Sequence, residues 1–149
     1  MTEVYFYHLE YRTLEDVLPT LLERSLARGW RAAVQATSEE RVEALNTLLW
    51  TYRDESFLPH GSAREGNAAL QPIYITVADD NPNGSNVRFL VDGAEVADAG
   101  SYVRIVYVFD GSDADALSRA REAWQTAKAQ AHEVSYWQQD EDGRWQQKA

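Results

Sequence analysis

The sequence predicts a three-layer α/β/α domain with a mixed, Rossmann-like central sheet. Strand-like and amphipathic helical segments alternate through the first half of the chain, and a third helical segment follows three further strands in the second half. Strands that alternate with helices favour a largely parallel sheet with helices on both faces. The sequence contains no internal repeat and no linker-like stretch, which predicts a single domain over residues 1–149.

The first half of the chain contains four predicted elements, which are a strand at 4–9, a helix over 14–28, a strand at 31–36 and a helix from about 37 to 52. Thr13 and Asp16 have the spacing of a capping box at the start of the first helix. Gly29 is the residue type expected just beyond the C-cap of this helix. Pro19 is expected either to bend the first turns of the helix or to mark a later start. Apolar residues at helical spacing give each helix one buried face.

The second half contains six predicted segments, which are a loop over 53–71, strands at 73–77, 87–91 and 102–109, a helix from 112 to about 131, and a hairpin or extended tail over 132–149. The strand at 102–109 is the most apolar and is therefore expected near the centre of the sheet. The Asn-Pro-Asn-Gly run at 81–84 is a strong turn signal between two strands. Ser112 and Asp115 have the spacing that starts a helix.

The composition excludes several classes of site. The 149 residues contain no cysteine, which excludes disulfides, thiolate metal sites and a cysteine nucleophile. The formal net charge is −10, from 24 acidic and 14 basic residues, and such a chain is poorly suited to coating DNA directly. The sequence shows neither an apolar stretch long enough to span a bilayer nor a signal peptide, so we expect a cytoplasmic protein without a membrane partner.

Residue types that carry catalysis or bind cofactors occur here without the spacing that those functions need. The glycines form neither the G-x-G-x-x-G nor the G-x-x-x-x-G-K-[ST] phosphate-binding pattern. His8, His60 and His132 are far apart and form no ligand-spaced pair. Asp54 and Ser56 lie with His60 in one loop, whereas a catalytic triad is assembled from separate elements. We therefore expect no cofactor, no metal site and no catalytic site.

A small metal-dependent nuclease is an alternative function. Asp79 and Asp80 are adjacent and, together with Asp92 or Asp98, offer the carboxylate oxygens that Mg²⁺ prefers. The simpler interpretation is that these acids are solvated loop residues beside the Asn-Pro-Asn-Gly turn.

Trp50 lies opposite the apolar stripe of the second helix. The stripe consists of Val42, Leu45, Leu48, Leu49 and Tyr52. At about 100° per residue, Trp50 falls roughly 150° from the centre of the stripe. Phe57 and Leu58 follow in the next loop beside Pro59, and either fold back over Trp50 or form a contact surface with it. Such a surface would serve a partner protein or, as another alternative, a second copy of the chain.

The third helix has a second candidate surface. Its core-facing strip is made of small residues, Ala116, Ala120, Ala123, Ala127 and Ala131. Trp124 lies at one edge of this strip, and Arg121 and Lys128 lie just beyond it on the same flank. An apolar ring bordered by two cations suits a peptide that ends in an aromatic residue and a carboxylate, because arginine binds carboxylates in bidentate fashion. The alternative is an ordinary amphipathic boundary with solvated charges.

Several runs of residues resemble one known family. The pair L-W at 49–50 and the run E-S-F-L-P-H-G at 55–61 are similar to the signature of the chi subunit of bacterial DNA polymerase III. The opening strand with F-Y at 6–7 and the turn R-G-W-R at 28–31 match the layout of that family, and R-E-A-W at 121–124 matches it in the last long helix.

The resemblance implies a three-layer α/β fold and a non-catalytic accessory subunit of the clamp loader in DNA replication. It implies two partners, the psi subunit and the C-terminal tail of single-stranded-DNA-binding protein, so that DNA is mainly an indirect partner. Carried onto this chain, the psi-binding residues are Trp50, Phe57, Leu58 and Pro59, and the tail-binding residues are Arg121 and Trp124, with Lys128 as an added cation.

Two positions on the third helix depart from the family pattern. Gln125 follows Trp124 directly, where family members commonly carry a lysine. Leu117 lies one turn before Arg121, where they carry a further basic residue. Lys128, one turn after Trp124, is the cation that would compensate.

Overall fold

A computed structural model describes residues 2–51, 60–62 and 68–149 of the chain. The strands within these ranges are β1 (Glu3–Leu9), β2 (Ala32–Gln35), β3 (His60–Ser62), β4 (Ile73–Thr76), β5 (Val87–Leu90), β6 (Arg104–Asp110), β7 (Glu133–Gln139) and β8 (Trp145–Gln147). The α-helices are α1 (Leu14–Ala27), α2 (Glu39–Thr51) and α3 (Ala114–Ala129).

The described strands form one sheet in the order β3-β4-β2-β5-β6-β1-β7-β8. Neighbouring strands are parallel, except that β7 and β8 are antiparallel. The sheet is therefore mixed, as the sequence predicts. The apolar strand β6 lies in the interior between β5 and β1, which confirms the central position expected for residues 102–109.

The three α-helices of the described ranges cover the two faces of the sheet. On one face α1 and α2 bury Leu18 and Leu45 in an apolar cluster that includes Val34 of β2. On the other face α3 buries Ala120 in a second cluster that includes Phe6 of β1. Each face of the sheet therefore has its own apolar layer, which confirms the three-layer α/β/α prediction.

Local signals start and end α1 where the sequence predicts. The Thr13 hydroxyl accepts a hydrogen bond from the backbone N–H of Asp16 (3.3 Å), and the Asp16 carboxylate accepts one from the N–H of Thr13 (3.1 Å). Gly29, beyond the C-cap, has a φ of 81°, which glycine adopts without steric cost. Pro19 lies inside the helix and is buried, so the expectation that it marks a later start is wrong. The capping box sets the start instead.

Part of the predicted loop at 53–71 is regular structure, so the loop prediction is wrong there. β3 pairs in parallel with β4, with His60 opposite Ile73, and Ala68–Leu70 forms one turn of 3-10 helix. The three residues of β3 include a glycine and have no apolar alternation, so their pairing with β4 rather than their own propensity makes them a strand. Residues 52–59 and 63–67 lie outside the described ranges.

The cap of α3 differs from the prediction by one residue. Asp113, rather than Ser112, is the N-cap, and its Oδ1 accepts hydrogen bonds from the N–H groups of Asp115 (3.0 Å) and Ala116 (3.3 Å). The Ser112 hydroxyl instead donates to Asp110 at 2.7 Å. Aspartate and serine are equally good N-caps, so spacing alone did not separate them.

The C-terminal segment is a hairpin, which was one of the two expected alternatives. β7 extends the sheet next to β1 in parallel, and β8 turns back antiparallel to β7. Gly143 supplies a φ of 82° in the connecting turn. The N–H of Lys148 donates to the backbone oxygen of Tyr136 at 2.7 Å, which continues the pairing beyond β8.

Candidate interaction surfaces

The C-terminal end of α2 presents Trp50 at the surface. Trp50 is 55% exposed, whereas Val42, Leu45 and Leu49 on the other side of the helix are buried. This arrangement agrees with the helical spacing, which predicts an outward-facing Trp50. The indole ring contacts the imidazole ring of His60 edge-on, with 4.9 Å between the ring centroids.

His60 connects α2 to the edge of the sheet. It is buried in β3, and its Nε2 lies within hydrogen-bond distance of the backbone oxygen of Asn46 in α2, at 3.2 Å. Trp50 and His60 thus flank the segment 52–59, which contains Phe57, Leu58 and Pro59 of the predicted psi-binding surface. These three residues lie outside the described ranges.

On α3, Trp124 is partly buried beside the strip of small residues. Its ring makes edge contacts with Phe6 (5.4 Å between centroids) and Tyr136 (6.1 Å). The Nζ of Lys128 lies 5.0 Å from the centroid of the Trp124 ring, which is a cation–π contact. Arg121 is exposed one turn before Trp124. The structure therefore brings the three predicted tail-binding residues to one flank of α3.

Behind Trp124 lies Tyr136, which the sequence analysis did not single out, with His8 beyond it. Tyr136 of β7 contacts the Trp124 ring, and its hydroxyl lies 2.6 Å from Nδ1 of His8 in β1. Burial raises the pKa of Tyr136, and the nearby Arg121 cation opposes this rise. A neutral Tyr136 hydroxyl is compatible with an anionic ligand next to Arg121, whereas a phenolate would repel one.

A cavity of about 270 Å³ lies on the opposite flank of α3. Its lining includes Arg119 and Glu122 of α3, Val96 from the segment that follows β5, and Tyr107 of β6. None of the three predicted tail-binding residues is among the described residues that line it. The cavity and the predicted surface are therefore distinct.

The aspartates of the nuclease alternative have structural partners. Asp79 accepts a backbone N–H from the segment that follows β5 (2.7 Å), Asp80 accepts the hydroxyl of Tyr74 (3.1 Å), and Asp92 forms an ion pair with Arg41 (2.7 Å). In the part of the chain that the structure describes, no three histidine or acidic side chains are grouped so as to hold a metal ion. The same part contains no helix with the length and apolar character to cross a membrane.

Arg88 of β5 is a fully buried arginine that the sequence analysis did not single out. Its guanidinium donates to the backbone oxygens of Ala78 and Asp80, both at 2.6 Å, and to Oε1 of Gln35 at 2.9 Å. The hydroxyl of Tyr102 lies 3.2 Å away. These acceptors belong to three segments of the chain, so Arg88 joins the ends of β2 and β4 to the start of β6.

Comparisons with known proteins identify the family. The family model described as DNA polymerase III chi subunit, HolC, matches residues 1–135. A probable DNA polymerase III subunit chi from Rickettsia prowazekii (strain Madrid E) is 31% identical over 97 residues, which is 65% of this chain. The match spans 59% of the length of that relative. The chain therefore belongs to the DNA polymerase III chi subunit family.

Proposed function

We propose that this chain is a non-catalytic accessory subunit of the DNA polymerase III clamp loader, which acts in the cytoplasm during DNA replication. It links the psi subunit to the acidic C-terminal tail of single-stranded-DNA-binding protein and reaches DNA through the latter. Family membership supports the assignment to the polymerase. The position of Trp124 and its neighbouring cations on one flank of α3 is the observation that supports binding of the acidic tail.

The α3 flank suits an acidic tail that ends in an apolar residue. Trp124 offers a partly exposed ring, supported from behind by Phe6 and Tyr136, on which an aromatic side chain can pack. Lys128 and the exposed Arg121 add positive charge beside that ring. Because the chain has a net charge of −10, a local pair of cations is where an acidic segment is attracted most strongly.

The end of α2 supports the psi-binding half. Large, accessible aromatic side chains are typical of the centres of protein–protein interfaces, and Trp50 is 55% exposed. The contact with His60 orients the indole ring, which reduces the entropy that a partner must remove on binding. Phe57, Leu58 and Pro59 complete this surface in the proposal.

Fluorescence anisotropy with a labelled acidic peptide that ends in phenylalanine tests the tail-binding half. We expect Arg121→Glu to weaken binding about tenfold or more, because a repelling carboxylate replaces a cation that meets the acidic groups of the peptide. Binding by the wild type should also weaken as the salt concentration rises, since the contacts are exposed ion pairs.

Arg119→Glu is the matched control, because Arg119 is exposed on the opposite flank of α3 and the change in charge is the same. We expect it to bind the peptide nearly as well as the wild type. Equal losses in the two variants would mean that net charge, and not the α3 flank, controls binding. Unchanged affinity and salt dependence in Arg121→Glu would place the site elsewhere.

A further inference from the structure

Three tryptophans that the proposed function does not use, Trp30, Trp137 and Trp145, lie together with Tyr5 and Tyr7. Four of these residues pack against the apolar cluster on the α1 side of the sheet, and Trp137 contacts both tyrosine rings. All five are only partly buried. We call them the aromatic array; the array lies on the face of the sheet opposite to α3.

Four members of the array lie on the strands β1, β7 and β8 at one side of the sheet, and the fifth, Trp30, precedes β2. The Trp137 ring centroid lies 6.0 Å from that of Tyr5 and 6.4 Å from that of Tyr7, and Trp145 lies 4.6 Å from Tyr7. Among the described helices, α1 packs mainly on β2 and β6, and the main helix contacts of β1 and β7 are with α3 on the other face. The array is thus partly accessible to a partner.

Arg104 already binds to the array. Its guanidinium carbon lies 4.0 Å from the centroid of the Tyr5 ring and 5.0 Å from that of the Trp30 ring. Its Nε and Nη2 donate to the same carboxylate oxygen of Glu3, at 3.1 and 2.9 Å. One guanidinium is therefore held on aromatic rings and against a carboxylate, which is the arrangement that arginine favours.

A shallow cleft of about 200 Å³ lies beside this arginine. Its lining includes Tyr5 and Trp137, which are aromatic, and Glu3 and Glu133, which are acidic. The cleft thus has aromatic walls and carboxylates of the kind that hold Arg104, although Arg104 itself does not line it.

The strand register leaves one negative charge in the cleft unbalanced. Glu3 is paired with Arg104 on β6 and with Glu133 on β7, so a row of one positive and two negative charges crosses the sheet. Like charges directly opposite each other on neighbouring strands are unfavourable. Arg104 neutralises Glu3, and none of the ion pairs among the described residues includes Glu133, which is exposed.

We propose that this cleft binds an arginine-bearing segment of a basic partner protein. The guanidinium of the segment lies against the Trp137 ring and pairs with Glu133, which extends the charge row by the missing cation. Arginine is preferred over lysine because its planar group both stacks on a ring and binds a carboxylate. The net charge of −10 attracts a basic segment, whereas this charge and the unbalanced Glu133 would repel the phosphates of a polynucleotide.

Fluorescence anisotropy of the full chain with a labelled peptide of alternating arginine and glycine tests this proposal. Trp137→Ala should weaken binding about tenfold, and Trp137→Phe should retain most of it because a flat ring remains. Glu133→Gln should weaken binding about fivefold. The same peptide with lysine in place of arginine should bind the wild type more weakly.

Glu141→Gln is the control for charge, because Glu141 is an exposed acid in the turn between β7 and β8 and the change in net charge is the same. It should bind like the wild type. Equal effects of Glu133→Gln and Glu141→Gln would overturn the proposal, as would binding that is the same for Trp137→Ala and for the wild type. Thermal unfolding establishes that each variant is folded.

Two further results would also overturn the proposal. A labelled single-stranded oligonucleotide that binds the wild type but not Trp137→Ala would identify the occupant as a polynucleotide. A dimer in light scattering that Trp137→Ala abolishes would identify it as a second copy of the chain. Neither result would affect the surfaces on α2 and α3, which use other residues.

Discussion

At the scale of single residues, Arg88 shows how a buried cation can join separate segments of the chain. Its hydrogen bonds to the backbone oxygens of Ala78 and Asp80 and to Gln35 place the charge among the negative ends of dipoles. These bonds offset the cost of removing a charged group from water. Without the guanidinium, the same oxygens would be left in the interior without a donor.

Arg88→Leu is therefore expected to lower the free energy of unfolding by about 3 kcal/mol, since each buried polar group left unpaired costs about 1–3 kcal/mol. Urea denaturation followed by circular dichroism measures the change. Arg119→Leu, which removes the same charge from the exposed face of α3, should change stability by less than about 0.5 kcal/mol. A similar small loss in both variants would contradict the role assigned to Arg88.

The sequence predicts which residues face outward more reliably than which residues meet across strands. Helical spacing is local, and it placed Trp50 at the surface and Trp124 at the edge of the buried strip. Tyr136 came to lie beside Trp124 only because the β1–β7 register sets it opposite Phe6. Register depends on contacts between distant parts of the chain, so the spacing of residues within one segment could not reveal it.

At the scale of elements, α2 and β3 are joined by direct contacts. Trp50 lies near the end of α2, and His60 begins β3 while its ring contacts both Trp50 and the backbone of Asn46. Trp50 and His60, which lie on either side of residues 52–59 in the sequence, therefore meet in space. A partner that binds Trp50 is expected to meet residues of this segment as well.

A pull-down with the wild type beside a Trp50→Ala, Phe57→Ala variant tests the psi-binding surface. We expect the wild type to recover both clamp-loader proteins and single-stranded-DNA-binding protein, and the variant to lose the clamp-loader proteins, because two aromatic contacts are gone. Recovery of single-stranded-DNA-binding protein should persist, since α3 is unchanged. Mass spectrometry of the recovered proteins is the measurement.

Leu70→Ala serves as the control in this pull-down, because Leu70, like Trp50, is a large hydrophobic residue at the surface and is 71% exposed. It should recover the same proteins as the wild type. Light scattering on the wild type and the double variant distinguishes self-association: a wild-type dimer that the double variant lacks would favour a homo-oligomeric role for Trp50. Full recovery of the clamp loader by the double variant would rule out this surface as the psi site.

The sequence predicts elements with strong local signals well, and it does not predict elements whose local signals are weak. α1 has a capping box, a terminal glycine and a regular apolar face, all of which act within a few residues. β3 has none of these signals, and it is a strand through its pairing with the neighbouring β4. For the same reason the sequence does not distinguish a hairpin from an extended tail over 132–149, since the first strand of the hairpin is fixed by β1, far away in the sequence.

At the scale of the whole molecule, the burial of tyrosines makes the stability of the fold decrease at alkaline pH. Among the described residues, five tyrosines have raised pKa values, and burial is the largest cause in each: Tyr7, Tyr74, Tyr102, Tyr107 and Tyr136. Because the fold favours the neutral form, the unfolded chain releases these protons first as the pH rises. The stability that the neutral tyrosines contribute is fully present below the usual tyrosine pKa of 10.0. It is lost as the pH rises through the higher pKa values of the folded protein.

The free energy of unfolding should therefore decrease as the pH rises above about 10, as measured by urea denaturation at a series of pH values. Tyr107→Phe should show a shallower decrease, because it removes a group whose ionisation is opposed by burial and by the Glu95 carboxylate. Its stability at pH 7 provides the baseline for this comparison. A pH dependence identical to that of the wild type would contradict the assignment to Tyr107.

The position of β1 between β6 and β7 has a consequence for synthesis. Glu3 is paired with Arg104 on one side and with Glu133 on the other, so β1 is synthesised well before the two strands with which it pairs. Contacts between such distant segments are slow to form, because a long stretch of chain must first be brought together. Until residues 133–139 have emerged, a nascent chain exposes at least one unpaired edge of β1, where it is vulnerable to aggregation and to proteases.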